Sequence, residues 1–116
     1  MAKQKTLENS VKAGINRYLR EIGGKWFHYS AMGGAPGVSD KLGFINGHQV
    51  YIEAKRPDRK THKDGGLSKA QLLFEEAVRT HGVSCPYGTN RHVHYIRAYH
   101  WFDVRDYLIK KNIIGE

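Results

Sequence analysis

Asn46-Gly47, set between the strand-like runs 42–45 and 48–56, is the feature that most constrains this chain. Both residue types tolerate the positive φ that a two-residue hairpin turn demands, so the two runs should pair as an antiparallel hairpin. A strand alternates its side chains. Gln49, Tyr51, Glu53 and Lys55 therefore share one face, while Val50, Ile52 and Ala54 share the other. The apolar face should pack on a helix, leaving the Glu53 carboxylate and the Lys55 ammonium side by side on the opposite face.

The elements around the hairpin follow from periodicity and punctuation. Leu7, Val11, Ile15, Tyr18, Leu19 and Ile22 recur at helical spacing and Gly23-Gly24 ends the run, which predicts an amphipathic helix over 6–22. Residues 25–32 are rich in aromatics and read as a strand, followed by the turn-forming stretch Gly-Gly-Ala-Pro-Gly. After a polar, basic loop at 57–66, a second helix should begin near Ser68 and stop at His81-Gly82. Ser68 with Gln71 fits a capping box there, and Leu67 with Leu72 fits the hydrophobic staple around it. Residues 92–98 read as a further strand, and 101–111 as a closing helix with Trp101, Val104 and Leu108 on one side. Helix, three strands, helix, strand, helix implies a mixed α/β layer structure. With 116 residues and no internal repeat, 1–116 reads as a single domain.

Charge narrows the partner. Nineteen Lys and Arg against eleven Asp and Glu give a formal net charge of +8, so the chain should be drawn to polyanions, with nucleic acid the default. No run of about 18 apolar residues could span a bilayer, and the Met-Ala-Lys-Gln-Lys start lacks the apolar core of a secretory signal. Cys85 is the only cysteine, which excludes an internal disulfide and a cysteine-based zinc cluster. The expectation is a soluble, cytoplasmic, non-membrane protein.

Asp40 precedes the hairpin, where the chain's return can bring it beside Glu53. Two carboxylates next to one lysine suit phosphodiester hydrolysis. The carboxylates bind a hard divalent cation such as magnesium, which activates water, and the lysine orients or helps deprotonate that water. Taken alone, Glu-x-Lys on a strand equally fits a solvated ion pair. The glycine-rich turn before Asp40 and the basic loop after Lys55 favour the nuclease reading. Arg56, Arg59, Lys60, His62 and Lys63 in that loop are placed to grip phosphates flanking a cut. Glu8 falls within about 20° of Ile15 on the first helix, inside its apolar stripe; first-turn electrostatics offers one reason, a role at the site another. Gln71 shares a side with Phe74 and Val78, so it can cap the second helix and also support a metal site. His92 and His94 alternate to one strand face, but no third ligand is evident at close spacing, so contact with DNA or water is the simpler reading.

These residues together resemble a known family. Glu8, Gly-Val-Ser-Asp at 37–40, Glu-Ala-Lys at 53–55 and Asp-Gly-Gly-Leu-Ser-Lys-Ala-Gln at 64–71 are similar to the VRR-NUC (virus-type replication-repair nuclease) family of the PD-(D/E)XK superfamily. The likeness covers about Leu7 to Arg97 and rests on the ordered set of motifs. It implies a PD-(D/E)XK restriction-endonuclease-like core, a mixed central sheet flanked by helices in the order α-β-β-β-α-β-α. It further implies that Asp40, Glu53 and the backbone carbonyl of Ala54 ligate magnesium or manganese. Lys55 would position the nucleophilic water, Glu8 would assist at the metal or its water shell, and Gln71 would steady the site. Ser39 stands where the superfamily usually has proline, a change that removes backbone stiffness but no ligand.

Small stand-alone members of the family are similar to Holliday-junction resolvases, which implies a metal-dependent, structure-selective endodeoxyribonuclease acting on four-way or branched junctions as a homodimer. Trp26, Phe27, Tyr29, Trp101 and Phe102 are candidates for the dimer interface or for the core. The same likeness implies a viral or mobile-element setting, with helicase or replication proteins as further partners. Two alternatives stay open: a branched-DNA-binding module without catalysis, and a nuclease for linear or nicked DNA in repair or restriction.

Overall fold

The computed structural model describes residues 2–28, 41–81 and 92–115, and the side chains of all of these except 2–7, 28 and 81. Helix α1 spans Ala2–Ile22, strands β1, β2 and β3 span Lys25–His28, Lys41–Ile45 and His48–Ala54, helix α2 spans Lys69–His81, strand β4 spans Val93–Ala98 and helix α3 spans Trp101–Lys110. The order is the one that the sequence pattern predicts. Asp40, Tyr29, Pro36, Ser39, Cys85 and the second half of the 25–32 run lie outside the described residues.

The Asn46-Gly47 turn forms as expected, with φ of 50° and 83°, and closes on the pair Ile45↔His48. β1, β2 and β3 make an antiparallel meander. β4 then pairs parallel to β3, so the sheet runs β1-β2-β3-β4 and is mixed. A parallel neighbour needs a crossover, and α2 supplies it.

Each face of the sheet carries its own core. Val50, Ile52, Ala54, Ile96 and Ala98 point toward α1 and α3, where Val11, Ile15, Leu19, Val104 and Leu108 meet them. On the other face Tyr95, with Tyr51 and Val93, packs under α2 against Leu67, Leu72, Phe74 and Val78. The second face differs from the sequence expectation of an open polar side. Glu53 is 3% exposed, because α2 folds back over β4 and covers the row that alternation alone leaves to solvent. Trp101 also departs from the inward set of α3: Val104 and Leu108 are fully buried, whereas Trp101 is 39% exposed and tilts against Tyr18 at 5.3 Å.

Two local devices fix the sheet's ends. Trp26 lies over Gly43, its partner across the β1–β2 ladder, and a methyl group at Gly43 would overlap the indole ring. Asn46 Nδ2 donates to the Ile113 carbonyl at 2.8 Å, tying the hairpin turn to the segment after α3. No helix of the described residues is long and apolar enough to cross a membrane.

Candidate active site

Beyond Ala54 the chain stays bonded to β4 for one more residue, Lys55 N–H donating to the Ala98 carbonyl at 2.9 Å. It then winds into a short 3-10 turn, Pro57–Thr61, and a second tight turn, Lys63–Gly66, in which Asp64 and Gly65 take left-handed φ of 57° and 64°. Arg59 ties the two together, donating from Nη2 to the Gly66 carbonyl at 3.2 Å. α2 begins directly after them. Ser68 N–H donates to Gln71 Oε1 at 2.8 Å, and Gln71 N–H donates to Ser68 Oγ at 3.2 Å, which is the reciprocal capping box expected from the sequence. Leu67 and Leu72 sit in the same apolar cluster on either side of that cap.

These pieces enclose an open cleft of ≈ 570 Å³ whose lining includes Lys55, Arg59, His62, Lys63, Ser68 and Gln71. Lys55 and Gln71 come from different elements and meet there, so the capping glutamine also borders the cleft. Glu53 lies two residues before Lys55 on the same strand face and is buried. Ala54 is buried between them on the α1/α3 face.

The other expected residues stand elsewhere. Arg56 is nearly covered, its side chain 12% exposed and 3.5 Å from Asp58. Lys60 is exposed and is not part of the described lining. Glu8 is half-buried on α1, the helix that packs on the opposite side of the sheet.

A group that sequence reasoning missed holds the cleft's outer wall. Arg97, the ladder partner of Glu53, donates from Nε and Nη2 to the two carboxylate oxygens of Glu75 at 2.7 and 2.5 Å. Its Nη1 donates to the Asp64 carbonyl at 3.3 Å, and the Tyr99 hydroxyl donates to the neighbouring Gly65 carbonyl at 2.7 Å. Arg97 and Tyr99 thereby anchor the second turn, and Arg97 anchors α2 as well. Burial pushes the Glu75 carboxyl up, but the hydrogen bonds and charge of Arg97, aided by Arg79, outweigh it and hold the group below the usual carboxylate range. The same bonds hold the Arg97 guanidinium above its ordinary value against the effect of burial. Glu75 lies at i+4 from Gln71 and at i−4 from Arg79, so its helix neighbours were legible. Nothing local points to Arg97, 22 residues away.

Among the described residues no group of three or more His, Cys, Asp and Glu side chains is arranged to hold a metal ion. Comparison with protein-family models, with curated proteins and with solved structures returns no match to this chain.

Proposed function

We propose that this chain is a divalent-metal-dependent DNA endonuclease with a PD-(D/E)XK-like core, selective for four-way or other branched junctions and acting as a homodimer. The observation that carries the reading is the cleft itself. Lys55 follows the buried carboxylate of Glu53 by two residues and borders one space with Gln71, Arg59 and Lys63. A carboxylate, an ammonium and flanking cations in that order suit a phosphodiester held for hydrolysis.

The donor chemistry fits a hard cation. Glu53 offers a buried carboxylate and Ala54 a backbone carbonyl, both oxygen ligands of the kind magnesium or manganese takes. Asp40 is the second carboxylate of the reading. It is bonded to Lys41, whose ladder partner is Ile52, the residue before Glu53.

A cation held by Glu53, the Ala54 carbonyl and Asp40 would supply an activated water and offset charge on the phosphate. Lys55 orients that water from the end of β3. Arg59 and Lys63 hold phosphates beside the scissile one, and Gln71 braces the α2 side of the cleft. Glu8, on the helix that packs on the opposite side of the sheet, is given no step in this arrangement. Cutting both strands across a branch needs two such sites, which is the reason for a homodimer.

The test is cleavage of a labelled four-way junction, beside linear duplex and single strand, with magnesium or manganese. Symmetric cuts that vanish in Asp40→Asn and in Lys55→Ala support the reading. A junction that is bound but left intact with either metal replaces it with a binding module. Equal cutting of linear duplex keeps the hydrolysis and removes the branch selectivity.

A further inference from the structure

At the opposite end of β3, about 20 Å from Lys55 at roughly 3.3 Å per strand residue, lies a second pocket that the proposed hydrolysis does not use. It has a volume of ≈ 540 Å³ and opens between α2, β4 and the end of α3. His48 and His94 line it from β3 and β4, His92 from the residue before β4, Arg79 from α2, and Tyr107 and Lys111 from α3 and the residue after it.

Three of these side chains form a hydrogen-bonded chain. His48 Nδ1 meets His94 Nε2 at 2.9 Å, and His94 Nδ1 meets the Tyr107 hydroxyl at 3.0 Å. His92 stacks obliquely on His48 with ring centroids 4.9 Å apart, and the Lys111 ammonium sits over the Tyr107 ring at 5.9 Å. His94, expected from the sequence to lie at the surface, is buried within this chain.

The protons of such a chain can run in only two directions while it is neutral. In one, Tyr107 donates to His94, His94 donates to His48, and the outer nitrogen of His48 carries a proton. In the other every donor reverses, and the Tyr107 hydroxyl proton is released outward while the outer nitrogen of His48 becomes an acceptor. Each neutral form thus offers one donor and one acceptor. A proton taken from solvent by His48 forces the second direction and protonates its outer nitrogen as well. Both ends then donate.

The charge around the chain has the same sense. Arg79, 3.3 Å from Glu75, shares that carboxylate with Arg97, so these two guanidiniums and one carboxylate carry one net positive charge between them. Lys111 adds a second. The His48 and His94 nitrogens are turned on each other and on Tyr107, an arrangement that holds a proton rather than a metal ion. From this geometry we infer that the pocket is a phosphate-binding site, for a nucleic-acid backbone phosphate or the free anion, and that protonation of the His48–His94–Tyr107 chain switches it on. At neutral pH burial and the nearby His92 hold His48 below its usual value, so the site is weak there and strengthens as the pH falls.

The test follows the histidine ring resonances of the full chain by NMR between about pH 5 and 8. One titration uses sulfate, a phosphate mimic whose own charge is constant over that range, and another uses octathymidylate. The expected result is a saturable shift of the His48, His92 and His94 rings and a His48 pKa that rises with sulfate. Affinity should fall about tenfold per pH unit above that pKa. His48→Gln should abolish the pH dependence, and Tyr107→Phe should weaken low-pH binding several-fold by removing one outward donor. Tighter binding of octathymidylate than of sulfate identifies a backbone phosphate as the ligand, and tighter binding of sulfate identifies the free anion. Rings that do not respond, or an affinity indifferent to pH in the unaltered protein, overturn the inference. Lys55→Ala leaves the sulfate response of these rings unchanged, so its outcome is independent of the hydrolytic reading.

Discussion

The Glu75–Arg97 pair should be the most costly polar interaction to break, and the cost should be asymmetric. The Glu75 side chain is 9% exposed, whereas Arg97 is 31% and Arg79 54% exposed. Glu75→Gln removes the carboxylate that two guanidiniums share, and water can partly reach both of them. Arg97→Met strands a carboxylate that water hardly reaches, with Arg79 as its remaining partner. Breaking a fully buried pair costs about 3–5 kcal/mol, and the partial exposure of the arginines reduces this to about 2–3 kcal/mol for Glu75→Gln. At roughly 4 °C per kcal/mol for a chain of this length, the melting temperature should drop by about 10 °C. Arg97→Met should cost more. Replacing both residues with apolar ones should recover part of the loss, because no stranded charge remains. Thermal and urea unfolding of the two single variants and the double variant measures all three quantities. The pH dependence adds a sign: the folded Glu75 carboxyl lies below its usual value, so its contribution is present above the unfolded carboxylate pKa and fades as pH falls through the folded one. The gap between the protein and Glu75→Gln should therefore close in acid. A melting-temperature loss under about 2 °C, or a larger loss for Glu75→Gln than for Arg97→Met, would refute the reasoning.

Other perturbations separate the remaining roles. Ser68→Ala should cost about 1 kcal/mol through the α2 cap, read by urea denaturation; Gln71→Glu should keep the cap but place a negative charge in the cleft and weaken duplex binding. Arg59→Ala and Lys63→Ala should each lower the salt slope of DNA binding by about one if they contact phosphate, measured by fluorescence anisotropy over a salt series. Gly43→Val should destabilise by about 1–3 kcal/mol by displacing the Trp26 ring, with a blue or red shift of the indole emission as its local signature. His48 has a lowered folded pKa, so its contribution to stability is full above the unfolded histidine value and declines as pH falls below it; acid unfolding of His48→Gln should lack that decline.

Local signals carried the element order, the Asn46-Gly47 turn, the Ser68–Gln71 cap and the two faces of β3. Each depends on residues two to four apart, whose geometry backbone periodicity sets without help from the rest of the chain. Glu53 and Lys55 were legible as neighbours for that reason. What lies above Glu53 was not legible. Its burial depends on α2 crossing back so that β4 lies parallel to β3, and on Arg97 reaching Glu75 across 22 residues. The histidines show the same division: His92 and His94 announced a shared strand face, but His48 and Tyr107 joined them only through strand pairing and the packing of α3. A sequence pattern determines which way a side chain points along its own element. Only the order and direction in which elements pack decides what it points at, because those contacts join residues that no local period relates.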